Sequence, residues 1–166
     1  MAPNTPQSMG SLGNVLVVGG CGFLGHHIVD RLHSHYNCKI SVVDLSTTRN
    51  RRPDSDGITY FDGDITKLDG LVSIFEKVKP DVVIHTASPV AIGDKAYYDL
   101  FKRVNVDGTR CVIEACQKTN VKALVFTSSA SVVSDNISTE LINADERWPV
   151  ISGPAQSSYY TQTKVC

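Results

Sequence analysis

The chain has 166 residues, enough for one domain with a sizeable core, and 42% of them are hydrophobic, as in ordinary globular proteins. Sixteen Lys and Arg against 17 Asp and Glu leave a net charge of -1, which gives no electrostatic footprint for nucleic acid or an acidic membrane surface. Five cysteines, an odd number without a C-x-x-C pair, argue against a disulfide framework or zinc site and for a reducing compartment, and no apolar run reaches membrane-spanning length.

Residues 1–13 are polar and rich in Pro, Ser and Gly, without the basic and apolar parts of a signal peptide. They are expected to form a disordered tail ahead of one domain over residues 14–166. The stretch VLVVGGCGFLG, residues 15–25, reads as an apolar strand that enters a glycine turn and opens onto a helix. Gly19, Gly22 and Gly25 fall at the spacing G-x-x-G-x-x-G. The first allows a tight turn, the second a close approach of backbone to a pyrophosphate, and the third close packing of helix on sheet; the helix start adds free N–H groups. The helix over residues 23–36 carries Leu24, Ile28 and Leu32 as its expected buried stripe. His26 and His27 point apart and no carboxylate completes a ligand set. His26, His27, His33 and His35 therefore read as solvated surface residues, and no metal site is expected.

A second strand, residues 39–44, ends in Asp44, placed to accept bonds from an adenosine ribose and to repel a 2′-phosphate. That favours NAD, while Arg49, Arg51 and Arg52 leave NADP open. A third strand, residues 58–61, leads to Asp64 and Ile65, positioned for an adenine edge and ring or for a turn and helix cap. A helix over residues 67–78 buries Leu68, Leu71, Val72 and Phe75 and stops at Lys79-Pro80. A fourth strand, residues 81–85, opens into Thr86, Ala87 and Ser88, small residues that leave backbone accessible to a cofactor. A long helical pattern over residues 97–118 turns Phe101, Val104, Val112, Ile113 and Ala115 toward the core, with Asn105 among them in need of partners. The fifth strand, residues 121–128, ends in a serine run, an irregular stretch covers residues 135–154, and a last helix begins at Ser157 or Ser158. The expected fold is α/β: a doubly wound, Rossmann-like parallel sheet of about five strands, incomplete as a fold.

The chemistry gathers at the end of the chain. Tyr160 and Lys164 stand at i and i+4, so one helix face presents both. A neighbouring ammonium favours the phenolate, and such a pair takes a proton from an alcohol or returns it to a carbonyl. A serine of the run Ser128-Ser129, at the carboxyl edge of the sheet, can hydrogen-bond the reacting oxygen.

The segments GGCGFLG, FDGDIT, HTASP, VNVDGT, FTSSASVV and SYYTQTK resemble the extended short-chain dehydrogenase/reductase family, most of all its 3β-hydroxysteroid dehydrogenase branch, from residue 15 to the end. The resemblance implies that Gly19, Gly22 and Gly25, with Phe23 and Leu24 between them, cradle the NAD pyrophosphate. It gives Asp44 the ribose, Asp64 and Ile65 the adenine, and Thr86, Ala87 and Ser88 a place along the cofactor. Asn105 then supports the active-site lysine, Tyr160 is the proton acceptor, and Lys164 lowers its pKa and holds the nicotinamide ribose. Alignment favours Ser129 over Ser128 as the catalytic serine. The implied reaction oxidises a sterol 3β-hydroxyl to the ketone with loss of a C4 carboxylate. The resemblance further implies a homodimer, and placement at the cytoplasmic side of the endoplasmic reticulum or at lipid droplets through a part beyond this chain. Family members are roughly twice as long, so the substrate-binding part is expected to be missing. Activity of these residues alone is open, as are a nucleotide-sugar epimerase, a dihydroflavonol-type reductase and a dinucleotide-binding module without catalysis.

Overall fold

The computed structural model describes residues 11–89, 97–135, 137 and 141–165. Five strands, β1 (Gly13–Val18), β2 (Cys38–Asp44), β3 (Thr59–Asp62), β4 (Val82–His85) and β5 (Ala123–Phe126), form one sheet in the order β3-β2-β1-β4-β5. Every pairing is parallel. The chain winds one way from β1 to β3 and the other way from β4 to β5, so the sheet has its switch point between β1 and β4. Of the expected tail, residues 1–10 lie outside the description, but Leu12 donates its N–H to the Asn37 carbonyl at 3.3 Å and Gly13 already belongs to β1.

The strands at the centre are apolar because both faces are covered. Leu16, Val18, Val43 and Val83 point to one face, where α2 (Leu68–Val78) supplies Leu71, Ile74 and Phe75. On the same side α4 (Thr109–Lys118) supplies Val112, Ala115 and Cys116. Val15, Val17, Ile40 and Val42 point to the other face, against Val29 and Leu32 of α1 (Phe23–His35). Complete burial of an aliphatic side chain is worth about 1.5–3 kcal/mol, so these two clusters carry the fold. Ile74 joins the expected face of α2, and Lys79 ends that helix in the left-handed region, its N–H donated to Phe75.

Further sequence expectations are corrected here. The buried stripe of α1 is Gly25, Val29 and Leu32, while Leu24 is 50% exposed. The contact of Gly25 with the glycine turn sets the rotation of the helix: a Cβ there would lie 2.1 Å from the Gly19 carbonyl oxygen. Secondly, the helical pattern after β4 is a composite of α3 (Tyr98–Phe101), a π-helical segment (Lys102–Gly108) and α4. A π turn holds more residues than an α turn and rotates the face that follows, which leaves Ile113 41% exposed and turns Thr109, Val112, Ala115 and Cys116 inward. Thirdly, His26 is half-buried with its Nε2 3.4 Å from Asp30, not a solvated side chain. The strand β5 is shorter than expected, and as an edge strand it leaves Val125 50% exposed. No helix among the described residues is long and apolar enough to cross a membrane.

Candidate functional site

A cavity of about 340 Å³ opens at the carboxyl edge of the sheet, beside the switch point. Its wall unites residues far apart in the chain: Gly19 and Gly22 after β1, Asp44 at the end of β2, Asp64 and Ile65 after β3, and Thr86, Ala87 and Ser88 after β4. All eight were singled out from sequence. The volume suits a small organic ligand, and open α/β sheets bind ligands at this place.

The glycine turn is built by what its residues lack. Gly19 has a φ of 83°, and a Cβ on it would lie 2.6 Å from the Ala87 nitrogen. The stretch after β4 therefore rests directly on Gly19. The Thr86 hydroxyl donates to the Val18 carbonyl at 2.9 Å, which spends it on closing the end of β1. The turn itself is closed by the Gly22 N–H on the Gly19 carbonyl at 3.1 Å. Gly25 lies behind it, buried, and Phe23 is 82% exposed, so neither they nor Leu24 line the cavity.

The half-buried Asp44 carboxylate accepts the Cys21 N–H at 3.0 Å through one oxygen. The Cys21 thiol borders the cavity and is pushed up to about 11, by burial first and by the Asp44 charge second, which makes it a poor nucleophile. Asp64 accepts both the N–H and the hydroxyl of Thr66, at 2.9 and 2.8 Å. Burial works to raise its pKa, but these two bonds and the nearby Lys67 and Arg103 hold it below the ordinary carboxylate value. Asp64 thus makes the expected turn alongside its place on the cavity wall, but not the expected helix cap, because α2 begins after Lys67 without a side-chain cap bond.

Of the three arginines after β2, Arg51 pairs with Asp54 at 3.1 Å and lies 4.5 Å from the Tyr60 ring centre. Arg52 bridges Asp30 and Asp56, both at 2.7 Å. Arg49 is the member of the trio that reaches the cavity wall. Sequence reasoning did not assign Leu100 and Val104 to this wall. Their four-residue spacing on one helix face after β4 was the available signal.

A second centre lies around α5 (Tyr159–Gln162), which packs on α3 and on the short helical turn Ala130–Val133 after β5. Ser158 caps this helix, its hydroxyl accepting the Thr161 N–H at 3.3 Å. The α-helix ends at Gln162, short of the expected face that would carry both Tyr160 and Lys164, and the chain goes on in a tighter turn in which Lys164 donates its N–H to Thr161, three residues back, at 2.9 Å. Lys164 is buried and its Nζ lies 5.0 Å from the Phe126 ring centre, while its carbonyl accepts the Ser128 hydroxyl at 2.7 Å. The ring of Phe101 stands edge-on to Tyr160 at 5.7 Å. Ser129 shares a proton with Ser131 at 2.7 Å, and Ser131 with Thr161 at 2.9 Å, so the serine run is laced to α5 by hydroxyls.

Asn105 connects the two centres. It is buried within the π-helical segment; its oxygen accepts the Ser88 hydroxyl at 3.0 Å and its amide donates to the Thr163 hydroxyl at 2.9 Å. Thr163 in turn donates to the Tyr160 carbonyl at 2.7 Å. Asn105 therefore reaches the end of α5 through the residue beside Lys164. His85, at the end of β4, bonds Thr109 at 3.0 Å and lies 5.6 Å from Phe126. Burial, and then the Lys164 charge, push it down to about 4, which keeps it neutral. No cluster of three or more metal-ligating side chains occurs among the described residues.

A family model described as 3-beta hydroxysteroid dehydrogenase/isomerase matches residues 16–166. The sterol-4-alpha-carboxylate 3-dehydrogenase, decarboxylating, of Schizosaccharomyces pombe is 44% identical over 140 residues, 84% of this chain and 39% of that protein. The human protein of the same description is 34% identical over 149 residues, 90% of this chain and 36% of its own length. Among solved structures, the UDP-glucose 4-epimerase of Thermus thermophilus in complex with NAD matches with a TM-score of 0.72 and 29% identity, over 90% of this chain and 47% of that one. The chain thus spans less than half the length of each.

Proposed function

The chain belongs to the 3-beta hydroxysteroid dehydrogenase/isomerase family, and from that membership we propose an NAD-dependent oxidation of a sterol 3β-hydroxyl to the ketone, with loss of a C4 carboxylate. The observation that carries the proposal is the convergence of Gly19, Gly22, Asp44, Asp64, Ile65, Thr86, Ala87 and Ser88 on one cavity at the switch point. The close approach of Ala87 to a glycine at positive φ leaves the backbone cradle that a pyrophosphate requires. Gly19 and Gly22 would hold that group, Asp44 the adenosine ribose, and Asp64 with Ile65 the adenine. NAD is preferred because Asp44 borders the cavity and, of the three arginines, only Arg49 stands at its wall while Arg51 and Arg52 are engaged elsewhere. When bound, the nicotinamide supplies the acceptor for a hydride from the sterol C3.

The chain's own residues handle the proton. Tyr160 takes it from the 3β-hydroxyl, Lys164 contacts the nicotinamide ribose, and Ser129 donates to the reacting oxygen. Asn105 holds Thr163, and so the backbone that carries the pair. The product is a β-keto acid, which loses carbon dioxide without a dedicated residue. We assign residues 14–166 to cofactor binding and proton transfer, with the sterol-binding part outside them. Placement at the endoplasmic reticulum or lipid droplets, and a homodimer, belong to the same proposal through the resemblance. A nucleotide-sugar epimerase shares fold and cofactor with this reading; the sequence relatives favour the sterol.

Titration of these residues with NAD and NADP by calorimetry, and turnover of a 4-carboxysterol by a parent chain that also carries the sterol-binding part, test the proposal. Expected are tighter binding of NAD, reduction of the cofactor, and loss of turnover by roughly 100-fold or more in Tyr160→Phe with cofactor affinity retained. Binding without turnover in the parent chain would leave a dinucleotide-binding module. No binding of either cofactor would defeat the reading for these residues alone.

A further inference from the structure

The glycine turn is held from outside as well as from within. Cys21 occupies the third position of the turn closed by Gly22 on Gly19, and its neighbours on both sides are glycines. Such a backbone has more freedom to lose than any other. Neither polar group of the Cys21 main chain makes the turn's closing bond. The N–H goes to Asp44 at 3.0 Å, and the carbonyl accepts the Asn50 side-chain amide at 2.9 Å. Asn50 reaches it from a left-handed backbone, φ 50°, a conformation that asparagine tolerates better than most residues.

The loop that presents Asn50 is braced on either side. Before it, Thr47 is buried and gives both its N–H and its hydroxyl to Asp62, each at 2.8 Å. After it, Arg52 ties the loop to Asp30 on α1, and its N–H donates to the Tyr60 hydroxyl at 3.0 Å.

We propose that Asn50 is a positioning residue for the dinucleotide site: with Asp44 it grips Cys21 by both main-chain groups and fixes the glycine turn in the shape that the ligand meets. Asp44 thereby has two duties: one oxygen holds the turn, and the residue lines the cavity. The proposal rests on the cofactor reading above, and its test separates the two. Asn50→Gly tolerates the left-handed backbone and removes the amide with the rest of the side chain. It is expected to weaken NAD binding by roughly 3- to 10-fold, the worth of one hydrogen bond. Hydrogen exchange at the Cys21 and Gly22 amides is expected to accelerate, with the amides of Val29 and Leu32 in α1 unchanged. Asn50→Asp, which sets a carboxylate against the Cys21 carbonyl, is expected to bind more weakly than Asn50→Gly. Parental affinity in Asn50→Gly would overturn the proposal, and so would exchange that rises equally throughout α1, because the residue would then serve general stability. If the parent chain binds no NAD, the cofactor reading fails by itself. The exchange measurement still judges the grip on Cys21, and unchanged exchange there would refute it.

Discussion

Gly19 shows how one missing side chain shapes the site. Its φ of 83° is costly for any residue with a Cβ, and that Cβ would lie 2.6 Å from the Ala87 nitrogen. Gly19→Ala is expected to lose about 2–4 kcal/mol of stability in urea titration. Gly22→Ala, whose Cβ would approach the Gly19 carbonyl oxygen at 3.2 Å, is expected to cost less. Equal stability of the Gly19 variant and its parent would mean that the stretch after β4 yields freely. The glycine spacing disclosed this turn in the sequence, because only glycine meets such demands. The partners that use it, Ala87 and Asn50, lie 68 and 31 residues on (87 − 19 and 50 − 19), and no local pattern links them.

At the scale of elements, the informative piece is the π-helical segment with Asn105. Read from sequence, residues 97–118 form one helix with Ile113 turned inward. The structure rotates Ile113 outward and turns Asn105 toward Ser88 and Thr163. Replacing Asn105 by Ala removes a buried side chain that serves two hydroxyls. We expect a loss of roughly 2–3 kcal/mol, together with faster amide exchange in α5 than in α1. A uniform change would show that Asn105 supports the core and not specifically the tyrosine helix. Helix and strand periodicity found these elements; the local change of helical pitch, set by tertiary contacts, is invisible to a pattern of fixed period.

At the scale of the molecule, the sheet brings a buried imidazole into the folding equilibrium. His85 titrates near 4 when folded and near its ordinary value of about 6.5 when unfolded. As pH falls between these values the unfolded chain binds the extra proton, so stability falls by roughly 3 kcal/mol in total. Below about 4 both states are protonated and this contribution no longer changes. Asp30 and Asp62 are held low by Arg52 and by Thr47, so their contributions are present above the ordinary carboxylate value and fade only as pH falls through their lower folded values. Urea titrations from pH 7.5 to 4 should therefore show a slope that His85→Gln flattens. A slope that survives this substitution would assign the effect to other groups.

The sequence by itself determined the strand order's raw material, the glycine turn and the residues that the cavity collects, because backbone geometry, periodic burial and phosphate-like ligands each demand particular residue types at short range. It also set Tyr160 and Lys164 four residues apart, the spacing expected of a proton-transfer pair. Only the tertiary structure decided how these pieces are held. The grip of Asn50 on Cys21, the link from Ser88 through Asn105 to Thr163, the engagement of Arg51 and Arg52, and the burial of His85 join residues distant in the chain. Such contacts depend on the folding of five strands into one sheet, and hydrogen bonds between remote side chains leave no periodic trace in the order of residues.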